Sequence, residues 1–190
     1  MNRRELKILG LSHSPTQEGS YILVLSESEG MIKLPIIIKT ADAQKIAMEM
    51  EGIKKPQIHN LIKNLTDSFG IDIQEVFIYS VLEGIFYTKV ISNNGLDDVE
   101  LESGLGDAII LSQIYDCPIF TTQEVLTTAG VIINDDGSTI TESDSIPEVK
   151  KPAVSIEDLE KMLDHAVKEE EFEIASTLRD RINEIKNKAT

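Results

Sequence analysis

Between residues 73 and 101, apolar runs alternate with glycine turn signals at strand spacing. No other pattern in the chain restricts the fold as much. Ile73–Leu82 is rich in β-branched and aromatic residues, and Glu83-Gly84 fits a tight two-residue turn. Ile85–Ile91 then returns, Asn94-Gly95 is a hairpin turn, and Val99-Glu100-Leu101 supplies a short third strand. Local turn chemistry alone therefore predicts three consecutive antiparallel strands. A second hairpin is predicted upstream: Tyr21–Leu25, a Glu29-Gly30 turn, then Met31–Ile38. The unbroken Ile36–Ile38 run predicts burial on both faces there. Pro35 lacks a ladder donor and predicts an edge or a bulge in that strand.

Helical periods separate the two strand groups. Thr40 is the expected N-cap of a helix with Ala43, Ile46, Ala47 and Met50 on one face, ended by Gly52. Pro56 opens another, with Ile58, Leu61, Ile62, Leu65 and Phe69 on one face and Gly70 at its end. After Gly104-Leu105-Gly106, residues Asp107–Tyr115 are apolar nearly all round, which predicts a buried helix. Pro118-Ile119-Phe120 is extended; Thr121 and Glu124 form a capping box for a short helix stopped by Gly130. The expected architecture is α/β of mixed, α+β-like type: a mixed β-sheet with packed helices.

Residues 134–154 change character. They are polar and acidic and hold two prolines, which reads as a flexible acidic linker. Ser155 can cap a further helix, which carries Leu159, Met162, Leu163 and Ala166 on one face; Phe172, Ala175, Leu178, Ile182 and Ile185 line the last one. This predicts a C-terminal α-helical hairpin over 155–190, after an α/β domain over 1–133. Two short helices are marginal alone, so the hairpin is expected to dimerise or to dock on a partner.

Charge bears on function. The chain of 190 residues carries 33 acidic and 18 basic side chains, a formal charge of −15 spread over both parts. Such an anion repels polyphosphate at long range, which excludes tight nonspecific nucleic-acid binding. Lys54, Lys55 and Lys63 around Pro56 do not make a basic patch. The single cysteine, Cys117, excludes an internal disulfide and fits a reducing, cytoplasmic setting. The opening MNRRELKILGLS does not read as a signal peptide, and no apolar run reaches membrane-spanning length.

Several pieces, in order, resemble the bifunctional nuclease domain family. They are Leu34-Pro35-Ile36, Glu51-Gly52, Pro56-Gln57-Ile58-His59-Asn60-Leu61, Gly84-Ile85-Phe86-Tyr87, Asp107-Ala108-Ile109 and Cys117-Pro118-Ile119-Phe120. The resemblance implies a mixed α/β domain, homo-oligomerisation through it, and hydrolysis of RNA or DNA. Where the family usually has Arg-Pro-Ser, this chain has Gly104-Leu105-Gly106, and Asn60 replaces an acidic residue after the histidine. The C-terminal hairpin is similar to the UVR motif through Leu159, Met162, Ala166, Phe172-Glu173-Ile174-Ala175, Leu178-Arg179-Asp180 and Ile182. That similarity implies a protein-contact hairpin, with Leu159, Leu163, Phe172, Leu178, Arg179 and Asp180 as its contact residues.

Phosphodiester hydrolysis needs an activated water and stabilisation of developing charge, and carboxylates with a divalent ion commonly supply both. Glu100 and Glu102 share a strand face by period-2 alternation, and Asp107 opens the next helix. These three are the candidate ligands of Mg²⁺ or Mn²⁺. Glu102, Asp107 and His59 are the candidate catalytic groups. The competing reading is a solvated acidic strand face, an Asp107 that complements a helix N-terminus, and a structural His59. Gly104-x-Gly106 is either a phosphate cradle or a plain turn. Two functions stay open: a divalent-metal-dependent nuclease recruited by its hairpin, and a non-catalytic oligomeric adaptor acting in stress response or DNA repair. Neither implies a membrane.

Overall fold

The structure is a computed structural model and describes residues 3–15, 17, 19–28, 32–53, 56–132, 156–168 and 170–188. The expected Glu29-Gly30 turn, the linker at 134–154 and the Ser155 cap lie outside the described residues.

Eight strands form one mixed sheet. In chain order they are β1 (Arg3–His13), β2 (Ser20–Glu27), β3 (Ile32–Lys39), β4 (Asp72–Leu82), β5 (Ile85–Asn93), β6 (Asp98–Ser103), β7 (Ile119–Thr122) and β8 (Val131–Ile132). Their spatial order is β6-β5-β4-β7-β1-β2-β3-β8. The predicted meander is the β4–β5–β6 half, antiparallel throughout. Glu83 and Gly84 both have positive φ, as a two-residue hairpin turn requires. The β2–β3 hairpin pairs Leu23 with Ile36. Ile36 and Ile38 are buried, but Ile37 is 57% exposed, so β3 alternates and is not buried on both faces. Pro35 sits opposite Val24, beyond Ile32 and Lys33 where β8 pairs with β3, so among the described residues β3 has no outer strand partner at the proline.

β1 is the element the apolar pattern does not predict. It joins the two halves, pairing antiparallel with β2 and with β7, while β7 runs parallel to β4. Its register shifts between Ile8 and Gly10, and that bulge breaks the alternation that marks a strand.

Four helices belong to the α/β part: α1 (Thr40–Met50), α2 (Ile58–Phe69), α3 (Leu105–Tyr115) and α4 (Gln123–Ala129). Thr40 is inside α1, and its hydroxyl donates to the Gly19 carbonyl at 2.6 Å; Lys39 holds the cap position. The Gln57 N–H donates to Asn60 Oδ1 at 3.1 Å at the start of α2, and Gly70 ends it in the left-handed region. The α4 cap is Thr122, whose side chain accepts from the Val125 N–H, one residue after the expected Thr121. Thr121 is fully buried and donates to the Ile78 carbonyl. Helix α3 is buried from Ala108 to Ser112, as its all-apolar run predicts.

The C-terminal hairpin is α5 (Ile156–Lys168) and α6 (Phe172–Lys188). It docks on its own α/β part. Leu159, Met162, Ala166, Leu178 and Ile182 join the same core as Leu23 and Ile46. Burying a large apolar side chain is worth about 1.5–3 kcal/mol, so this seam is a substantial attachment. Polar bonds fix its register. The His13 N–H donates to the buried Asp158 carboxylate at 3.0 Å, and Gln44 Nε2 donates to the Met162 carbonyl at 3.2 Å. Arg181 grips Glu51 through Nε and Nη2, both at 2.6 Å. Tyr21 packs nearby; burial and the Asp158 charge push its phenol up to about 12. No helix among the described residues is long and apolar enough to cross a membrane.

Candidate functional site

His59 and Asp107, 48 positions apart in sequence, meet where α2 passes the first turn of α3. His59 Nε2 donates to Asp107 Oδ1 at 2.9 Å. The ring is 2% exposed at its side chain, whereas Asp107 is 56% exposed. His59 Nδ1 is buried without a hydrogen-bond partner, so the ring uses its Nε2–H for the carboxylate. The arrangement is a solvent-facing carboxylate held from behind by a buried imidazole.

Local sequence builds this place. Gly104 is the N-cap of α3, and no side chain caps the helix there. Asp107 lies in the first turn, where a negative charge complements the helix dipole. Gly106 packs closely on α1: a Cβ there would lie 2.9 Å from Asp42 Cγ and push that side chain aside. Asp42 of α1 thus lies beside Gly106, while a Cβ on Gly104 would make only an ordinary contact with Asp107 Oδ2 at 3.5 Å. The spacing of His59 and Asp107 gives no hint of their meeting, and nothing in the sequence points to Asp42.

Glu100 and Glu102 belong to a different environment. Both are on β6 and engage Lys89 of β5, at 2.8 Å and 3.7 Å. Tyr79 Oη also donates to Glu102 Oε2 at 3.1 Å. The hydrogen bond from Lys89 lowers the Glu100 carboxyl below its ordinary range, and the same bond raises the Lys89 ammonium. Partial desolvation and the Glu102 bond raise the Tyr79 phenol. Lys89 also lies over the Tyr79 ring, 4.9 Å from its centre, and Tyr79 and Tyr87 are neighbours at 6.2 Å. Lys89 is the only basic residue between Lys63 and Lys150, a sequence signal that could have marked this cluster.

The fit of a divalent ion can be judged from these partners. Among the described residues no three His, Cys, Asp or Glu side chains gather closely enough to hold a metal ion. Glu100 and Glu102 are engaged by Lys89 and Tyr79, and Asp107 by His59, so the three expected ligands do not form one ligand set.

On the hairpin, Leu159 and Leu178 are buried in the docked seam and Leu163 is half-buried. Phe172 is 67% exposed, and Arg179 and Asp180 are exposed and 3.7 Å apart. The six expected contact residues are therefore divided between the seam and the open surface. Cys117 is half-buried, and burial pushes its thiol up to about 11, which suits a packing residue and not a nucleophile.

Residues 23–134 match the bifunctional nuclease domain family, and residues 153–188 match the UvrB/UvrC motif. The first match covers more than half of the chain, and the chain belongs to the bifunctional nuclease domain family. Two relatives from Mycobacterium tuberculosis are similar: the uncharacterized protein MT1877 of strain CDC 1551 / Oshkosh and the uncharacterized protein Rv1829 of strain H37Rv. Each is 29% identical over 134 residues, covering 70% of this chain and 79% of the relative.

Proposed function

We propose that the chain hydrolyses phosphodiester bonds in RNA or DNA, with Asp107 as the group that meets the reacting water. The single observation that carries this is the Asp107–His59 pair, an exposed carboxylate fixed by a buried ring. A carboxylate held in one orientation can accept the proton of an attacking water. His59 acts as a positioning residue: its N–H holds Asp107 Oδ1 and leaves Oδ2 for the water. Two members of the family's motif pieces, His59 in the Pro56–Leu61 segment and Asp107 in Asp107-Ala108-Ile109, make up this pair, and family membership supports the reading. No step is routed through a resident metal ion, because the expected ligands are not gathered. Glu102 is assigned to the Lys89–Tyr79 cluster and not to catalysis.

The test is incubation of the pure full chain with end-labelled single- and double-stranded RNA and DNA, in Mg²⁺, Mn²⁺ or EDTA. The expected result is cleavage that follows protein concentration. The EDTA arm reads whether a divalent ion is required. Absence of cleavage of every substrate in every buffer would contradict the proposal.

A second reading has its own observation. Phe172, Arg179 and Asp180 stay on the surface of the docked hairpin, and an exposed aromatic and a charged pair on one helix suit a protein partner. In that reading the chain is an oligomeric adaptor in stress response or DNA repair, and the UVR match supports it. Loss of partner capture by Phe172→Ala, with cleavage unchanged, would separate the two roles.

A further inference from the structure

Strand β6 ends the sheet. β5 pairs with it on one side, and among the described residues no strand lies on the other. In an antiparallel pair every second residue turns its N–H and C=O away from the partner, so β6 offers a row of donors and acceptors along its outer edge. Edge strands are commonly protected by a bulge or a proline. β6 has neither: its register with β5 is unbroken, and Asp98–Ser103 contains no proline. Five of its six residues are exposed.

The two faces of the strand differ in chemistry. Asp98, Glu100 and Glu102 alternate on one of them. Lys89 of β5 engages both glutamates, and Asn93 Nδ2 donates to Asp98 Oδ1 at 2.6 Å. Arg3, the other cation that acts on Glu100, is itself paired with Glu75 at 2.7 Å. Three carboxylates thus share one lysine, and the side chains of Glu100 and Glu102 stay 62 and 65% exposed. Val99 and Leu101 alternate on the opposite face, 40 and 49% exposed. With Ile62 of α2, Ile73, Val90 and Leu111 they line a groove of about 430 Å³, which Glu102 also borders. An open backbone edge therefore separates an acidic face from an apolar one.

We propose that β6 takes a ninth strand from a partner protein: an extended segment in which basic and apolar residues alternate. At a strand spacing of about 4.8 Å, the apolar side chains of such a segment lie beside Val99 and Leu101, over the groove. Its lysine or arginine side chains lie beside Asp98, Glu100 and Glu102. Charge selects this occupant. A second copy of β6 would set the carboxylates against their own counterparts, and any acidic segment is repelled for the same reason. A wholly apolar segment leaves the carboxylates uncompensated. The edge is separate from the exposed residues of the hairpin, and the proposal is independent of the reaction at Asp107.

Fluorescence anisotropy tests it, using the full chain and a labelled peptide of alternating valine and lysine as long as β6. The expected Kd is below about 1 mM at low salt and rises as salt is added. A peptide of the same composition, with its valines and lysines in two blocks, should bind at least about tenfold more weakly. Glu100→Lys with Glu102→Lys should weaken the alternating peptide at least about tenfold. Leu101→Thr, which keeps a strand-forming residue at an exposed position, should weaken it about threefold. Hydrogen exchange at residues 98–103 should slow in the wild-type complex, because the outer N–H groups gain partners. No binding at ~1 mM would overturn the proposal. So would equal binding of the block peptide, an affinity unchanged in either variant, or exchange at 98–103 that the bound peptide leaves unaltered.

Discussion

A carboxylate that reaches solvent while hydrogen-bonded to a buried ring is restricted to one orientation, and the ring's packing sets that orientation. At Asp107 the restraint comes from His59, which is 1% exposed and has no route to substrate of its own. His59→Gln can still present an N–H, so its kcat should exceed that of His59→Ala, while KM should change little in either. Truncation to alanine also leaves a cavity and should cost about 2–4 kcal/mol in denaturant unfolding. Equal kcat in the two variants would remove the positioning role. Cys117 gives a second test at this scale. Its thiol is raised to about 11, so its thiolate is scarce at neutral pH. Alkylation by iodoacetamide should be far slower than for a free thiol at pH 8 and should climb until the pH nears 11. Fast labelling at pH 8 would show that the burial is not maintained. The residue types at the site are legible in the sequence, but their pairing is not. His59 and Asp107 lie on separate helices, and no spacing rule links positions brought together only by packing. Closeness in sequence does not decide partners either: Glu100 and Glu102 share Lys89, whereas Asp107, five residues after Glu102, is held by His59.

At the scale of elements, local chemistry marks most boundaries. The Glu83-Gly84 turn, the Gly70 cap and the β4–β5–β6 meander obey rules that act over a few residues. The features that escape such rules need longer reach. β1 lies at the centre of the sheet, but its bulge at Ile8–Gly10 interrupts the two-residue period. Of the apolar face of α2, Ile62 packs on the core while Ile58, Leu61, Leu65 and Phe69 are exposed, a division that helical periodicity does not reveal. Gly130 gives a sharp element-scale test. A Cβ there would clash with the Leu126 carbonyl oxygen and lie 2.7 Å from Ile32 Cγ2. Gly130→Ala should therefore disturb the end of α4 where it meets β3, lowering stability by about 2 kcal/mol or more in thermal unfolding. An unchanged melting temperature would mean that the backbone there relaxes freely. Thr122→Ala, which loses the α4 cap, should cost about 1 kcal/mol in the same measurement.

For the molecule as a whole, the hairpin is part of the core and not only an appendage. Leu159, Met162 and Leu178 are fully buried, and Arg181, Asp158 and Gln44 tie the hairpin to α1 and β1. Breaking the Arg181–Glu51 contact should loosen α5 and α6 without unfolding the sheet. Hydrogen exchange of Arg181→Ala should thus rise in residues 156–188 while the β4–β5 pair keeps its protection. Uniform change across the chain, or none, would contradict this coupling. The sequence marks the helical hairpin clearly but leaves its docking open, because its apolar seam is compatible with any apolar surface. The overall charge of −15 gains a sharper meaning here. It opposes tight binding of nucleic acid, so the nucleolytic reading depends on chemistry at Asp107 more than on affinity. Single-turnover cleavage of a labelled single-stranded substrate by the wild type, Asp107→Asn and Glu102→Gln tests that reading most directly. Asp107→Asn should be slower by at least about 100-fold, and Glu102→Gln should stay within about tenfold of the wild type. Cleavage by Asp107→Asn at the wild-type rate would contradict the account.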